Sequence, residues 1–275
     1  MKNIILFFAV SFLMATANAT DIASAIRSAE DEPNQSNGGY FELGANIEYL
    51  DSARIDETNS GIGVLIAGAY YYRGAFIEAA HSSYDGVNLG YNFWNSKDWS
   101  IDFLAASVFG EYHQIDDDDE FDDSKKNKEL LDRSTLYNAS GFRFTYYLNN
   151  YIFQYRLVAD IFDNHGVTSS ARLGRSWQIR NWNFHGLLGV NYHSAKNNQY
   201  LWGVEEDKST ERFTAYKPSA SANVTSEIGV TYPISENWVF KSTMQYSYLP
   251  SQVTNSPLAD DHDFFKSETS ISYVF

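Results

Sequence analysis

The sequence predicts an all-β protein: a closed barrel of about 12 antiparallel strands crossing an outer membrane. Three observations predict it. Apolar and polar residues alternate at period two over segments of about 10 residues, from Gly39 to the last residue. The connections on one side are all short, and the long ones fall on the other side only, where two more, near Ser83 and at "DNHG", are short. Beyond residue 20, no stretch is long and apolar enough for a spanning helix.

The chain opens with "MKNIILFFAVSFLMATANA", one cation (Lys2) followed by an apolar run from Ile4 to Met14. Ala17-Asn18-Ala19 is a small-residue cleavage site, so residues 1–19 read as a signal peptide. The run is too short to cross about 30 Å of hydrocarbon as a helix. Export follows, with a cell outer membrane as the destination. Residues 20–38 are polar and read as a flexible periplasmic segment; residues 39–275 read as the barrel.

Strand starts are expected near Gly39, Gly61, Ala75, Gly86, Trp99, Thr135, Tyr151, Val167, Trp182, Ala215, Asn237 and Asp263. In the first strand Phe41, Leu43, Ala45, Ile47 and Tyr49 oppose Glu42, Asn46 and Glu48. Gly and Ala blur the faces of the second to fourth. Tyr151, Phe153, Tyr155, Leu157 and Ile161 oppose Gln154, Arg156 and Asp160. Trp182, Phe184, Leu188, Val190 and Tyr192 oppose Asn183, His185, Asn191 and His193. From Ser219 the alternation is cleanest, with Val224, Ile228 and Val230 on one face and Asn223, Thr225, Glu227 and Thr231 on the other. Trp238, Phe240, Met244, Tyr246 and Tyr248 alternate with Lys241, Thr243 and Gln245. Short turns are expected at Arg73-Gly74, Asn95 to Asp98, Asn149-Asn150, Arg180-Asn181 and Ser235-Glu236.

The closing stretch "SETSISYVF" puts Ile271, Tyr273 and Phe275 on one face. A last strand of this kind pairs with the first and leaves no open edge. Its terminal aromatic pattern reads as an assembly signal for outer-membrane insertion machinery.

Composition excludes several classes. The net charge is −15, and −16 once Lys2 leaves with the signal. That disfavours nucleic acid and anionic membrane surfaces as partners. The absence of cysteine excludes a disulfide scaffold. Outer-membrane lipid and lipopolysaccharide remain the natural surroundings.

Three stretches resemble the MipA/OmpV family of outer-membrane proteins. "NNQYLWGVEED" is similar to its tyrosine-rich Y-x-x-G-V motif, through Tyr200, Trp202, Gly203 and Val204. "SYLPSQVTNSPLADD" is similar to its segment before the last strand, through Leu249, Asn255, Ser256, Pro257 and Leu258. "ISYVF" is similar to its closing Y-x-F, and "YDGVNLGYNF" is a weaker match. The resemblance implies a barrel without enzymatic activity that binds proteins. In one branch it scaffolds a lytic transglycosylase and a bifunctional murein synthase. Other members are porin-like, stress-regulated or adhesive. Tyr200, Trp202, Gly203 and Val204 become the candidate interaction loop, docking a partner or extending the outer aromatic girdle. A partner on that side would have to lie outside the cell, whereas a murein enzyme works on the periplasmic side.

Other candidates have plainer readings. "DDDDEFDD", Asp116 to Asp123, is either a divalent-cation site or a solvated loop. It lacks the EF-hand pattern, and Lys125, Lys126 and Lys128 follow closely, which favours the loop. "DNHGVTSS" offers His165, but Val167 stands where a paired serine is needed, which favours a tight turn over catalysis. The inward charges Glu42, Glu48, Asp102, Arg143, Arg156, Asp160, Arg172, Glu227, Lys241, Lys266 and Glu268 either line a pore or pair across the lumen. Both signs are well represented, which favours pairing. His185 and His193 share a lumen face but stand too far apart for one metal site.

Overall fold

The computed structural model describes residues 37–55, 58–79, 86–109, 125–131 and 137–275. The expected leader 1–19, most of the segment 20–38 and the acidic stretch Asp116 to Asp123 lie outside them. Twelve strands form one closed antiparallel barrel, each paired with its neighbours in sequence and the last with the first. They are β1 Gly38–Asp51, β2 Thr58–Tyr72, β3 Ala75–Ala79, β4 Val87–Asn95, β5 Trp99–Phe109 and β6 Tyr137–Leu148. Then follow β7 Tyr151–Asp160, β8 Val167–Ile179, β9 Trp182–His193, β10 Ser221–Pro233, β11 Trp238–Tyr248 and β12 Asp263–Val274. All twelve expected strands are present. The tenth begins six residues later than Ala215, because Tyr216 is drawn aside into a bridge with Val204.

The period-two pattern decides which face meets what. On β10, Val224 and Ile228 are 51% and 61% exposed on the outside, while Thr225 and Glu227 are 3% and 4% exposed within. A closed ladder pairs the wall amides with one another rather than with water, which a strand in hydrocarbon requires. The turns obey hairpin geometry. Arg73, Asn149 and Arg180 hold φ of 49°, 50° and 56° at the first position of three two-residue turns. Register slips at three places that the sequence does not announce, the first between Leu89 and Gly90 in the β4–β5 pair. The β4–β5 register shifts between Asn92 and Trp94, and the β5–β6 register shifts between Leu104 and Ser107. Both Leu104 and Ser107 are thereby turned inward and fully buried.

The seam between β1 and β12 runs from Glu42 opposite Val274 to Asp51 opposite Phe265. The Phe275 amide donates to the Phe41 carbonyl at 2.8 Å. Outside this seam the Phe275 ring lies 5.9 Å from that of Phe41 and 4.7 Å from that of Tyr273, which meets Trp238 at 5.5 Å. Four aromatic residues therefore cover the junction at the short-turn end.

Candidate functional site: the barrel mouth and the lumen beneath it

Among the described residues, three α-helices belong to the connections at the long-loop end: α1 Lys125–Leu131, α2 Ala195–Trp202 and α3 Ser251–Thr254. Ser194 caps α2, its hydroxyl accepting from the Asn197 amide at 3.3 Å and from the Val167 amide at 2.9 Å. Gly203 ends the helix with its amide on the Gln199 carbonyl at 3.0 Å. Glycine is required there by proximity. A Cβ would fall 2.5 Å from the Gln199 carbonyl oxygen and 2.2 Å from its side-chain nitrogen.

The two motifs of the family resemblance meet. Val204 and Leu258 lie in one buried cluster with Leu130, Leu131 and Phe213, flanked by Ile55 and Tyr216. Phe213 and Leu258 are wholly buried. The Ser256 hydroxyl donates to the Trp202 carbonyl at 2.7 Å and accepts from the Leu258 amide at 3.1 Å. Val204 and Tyr216 exchange backbone hydrogen bonds at 2.9 Å each way. The Tyr216 hydroxyl donates to the Gln252 carbonyl at 3.0 Å, and Thr210 donates to the Asn127 side chain at 2.6 Å. The Ile55 amide donates to the Leu258 carbonyl at 3.2 Å, and the Asp260 amide to Ala53 at 2.9 Å. Arg54 stands 5.9 Å over the Trp202 ring.

The candidate interaction residues are thus packed among the chain's own loops. Gly203 and Val204 are buried, and Tyr200 and Trp202 are half-buried. Tyr200 reaches down to an inner-wall cluster of Phe76, Leu104, Ala139 and Val158. Its ring stacks on His165 at 3.7 Å. His165 belongs to a tight turn at the rim. Asp160 accepts the amides of Phe162, Asp163 and His165, and its Oδ2 lies 2.6 Å from His165 Nδ1. The imidazole therefore faces a carboxylate and a tyrosine ring, not a serine. Asp160, Asp163 and His165 offer ligand atoms within 4.8 Å of one another. Asp160 already holds the turn together through three amides, so the cluster reads as a staple of that turn.

Below the mouth, charges pair. Lys241 Nζ sits 2.7 and 2.6 Å from the two Glu42 oxygens, and the Ser272 hydroxyl donates to the same carboxylate. Arg143 forks onto Glu78 at 2.6 and 3.0 Å and reaches Asp102 at 2.8 Å. Asn92 donates to Asp102 at 2.6 Å and Tyr71 to Glu78 at 2.8 Å. His185 Nε2 lies 2.9 Å from Glu227, which also accepts from Gln245. Lys266 meets Glu48 at 3.0 Å, and Ser107 joins Arg156 to Asn88. Pairing therefore accounts for most of the inward charges named from the sequence. His193 lies 2.7 Å from the Asn197 amide oxygen and apart from His185. Sequence reasoning missed Glu78, because β3 is only five residues long. It also missed Leu130, Leu131 and Phe213, single apolar residues in polar loops that no periodicity marks.

The family described as MltA-interacting protein MipA matches residues 43–275. The chain is 24% identical over 251 residues to the MltA-interacting protein of Escherichia coli K12, covering 86% of this chain and 91% of that protein. It is 29% identical over 120 residues to the putative outer membrane protein YiaT of the same organism, covering 43% of this chain and 49% of that one. It is 29% identical over 89 residues to the outer membrane protein Omp26La of Vibrio anguillarum, covering 32% of this chain and 35% of that one. The chain thus spans about a third to a half of the length of these last two relatives. With a closed twelve-strand barrel and a family match from residue 43 to residue 275, the chain belongs to the MipA family of outer-membrane proteins.

Proposed function

We propose that this barrel is a non-enzymatic interaction protein of the cell envelope, serving murein turnover. A lytic transglycosylase is its partner and, as the sequence resemblance implies, a bifunctional murein synthase is a second. The carrying observation is the commitment of the lumen's charged groups to one another. Glu42, Glu78, Asp102, Glu227, Arg143 and Lys241 are all held in internal pairs and networks. Groups so held brace the wall from within. Function then falls to the surfaces. The similarity to a protein named for binding MltA supports the partner's class. A murein enzyme would meet the short-turn end, where Lys97, Asp98, Arg180 and Glu236 are exposed, and the segment 20–38 leading into β1.

The interaction role of Tyr200, Trp202, Gly203 and Val204 belongs to this proposal in an altered form. Their contacts are internal, so they would act on an outside partner through the shape of the mouth. Ile271, Tyr273 and Phe275 are proposed as the assembly signal, and residues 1–19 as the signal peptide.

Crosslinking in intact envelopes, followed by purification of the barrel, tests the main reading. Recovery of a lytic transglycosylase supports it; recovery of none, with the barrel intact, overturns it. A second reading, a small-solute channel, is favoured by the polar lumen side chains His185, Asn191, Thr225, Gln245 and Ser270. Conductance steps in a planar bilayer would support it.

A further inference from the structure

In a ring of twelve strands, the β5–β6 connection and the β11–β12 connection stand six strands apart, at opposite points of the rim. Leu130 and Leu131 come from the first, and Leu258 comes from the second. All three lie in one buried cluster with Val204 and Phe213 of the β9–β10 connection, and Ile55 of the β1–β2 connection packs against it. Chains rooted on opposite rims share a core only by reaching over the opening between them. We propose that Ile55, α1 and the β9–β10 and β11–β12 connections fold into a single lid across the mouth, that the lid keeps the barrel closed to solutes, and that the barrel conducts only when the lid is displaced.

The lid has its own cohesion. Phe213 and Leu258 have no exposed surface, so they are covered on the lumen side as well as on the solvent side. Thr210 of one connection bonds Asn127 of another, Ser256 bonds Trp202, and Ile55 bonds Leu258. Tyr200 anchors the lid's underside to the inner wall beside Phe76 and Leu104. It is also separable from the wall. Its ties are isolated hydrogen bonds and one apolar cluster, whereas the wall is a continuous ladder closed on itself. Disrupting the cluster should release the lid and leave the ladder standing, because no residue of the cluster belongs to a wall strand.

The inference is independent of the murein partner, since closure and partner recovery are read in separate experiments. The test is single-channel recording of the purified full chain in a planar bilayer. The unaltered barrel should show rare, brief openings. Phe213→Asp with Leu258→Asp should give sustained conductance steps while heat-modifiable migration still reports a folded barrel. Because the natural chain has no cysteine, Asn127→Cys with Thr210→Cys supplies a second arm. Oxidation of that pair should abolish the residual openings, and reductant should restore them. Steady conductance by the unaltered barrel would overturn the proposal. So would a folded aspartate variant that stays silent, or openings that ignore the crosslink.

Discussion

Glu42 shows how single residues hold this barrel. Its side chain is 1% exposed and takes a lysine from β11 and a hydroxyl from β12. Removing one member of a buried pair strands the other charge, which costs about 3–5 kcal/mol. Lys241→Ala should therefore lower the temperature at which the folded band is lost on an unboiled gel. Lys241→Met with Glu42→Gln should recover most of that loss, since no buried charge is left alone. A double variant no better than the single one would mean that Lys241 contributes packing rather than charge. The wall allows a sharper comparison at neighbouring positions. Val224→Arg places a cation against hydrocarbon at a cost of about 2–4 kcal/mol, whereas Thr225→Arg faces the lumen. Assembly yield should fall for the first and hold for the second.

Among elements, the strands were legible and the lid was not, for a physical reason. A wall strand sits between two media, so its sequence must repeat every two residues, and Val224, Thr225, Ile228 and Glu227 announce their faces. The lid has no such medium on either side. Its core is assembled from one or two apolar residues per loop, such as Leu258 in "NSPL" and Phe213 in "ERFTAY", and only the folded chain brings them together. The resemblance marked Val204 and Leu258 without saying that they touch. The short strand β3 hid Glu78 in the same way, since five residues give too few repeats to read. Within the lid, Gly203→Ala forces a methyl group onto the Gln199 carbonyl. That variant should become more sensitive to external protease within 195–220 while its heat-modifiable band stays unchanged. Among the turns, Arg180 holds a left-handed backbone that glycine adopts freely. Arg180→Gly should be neutral or stabilising by up to about 1 kcal/mol, measured by urea unfolding in detergent.

At the scale of the whole molecule, the long connections and the lid mark one end of the barrel and the short turns mark the other. The lid is expected to face outward. Lys208 and Lys97 are exposed at opposite ends. A cysteine at 208 should react with an impermeant reagent on intact cells, and one at 97 should react only after the outer membrane is permeabilised. Labelling with the opposite order would invert the orientation. Deleting Phe275 should reduce the folded band, because it removes both the amide held by Phe41 and the ring that covers the seam.

The seam also fixes the order in which the molecule can become itself. Glu42 lies near one end of the barrel sequence, yet its partners stand 199 and 230 positions later. Until those residues arrive, the carboxylate has no compensation, and β1 has a row of bare amides along the side that β12 will fill. Hairpins joined by two-residue turns can form early from local contacts, but closure must wait for the most distant ones. A chain cut short anywhere before Lys241 can build hairpins but leaves the Glu42 carboxylate of its first strand without the lysine that meets it in the closed barrel.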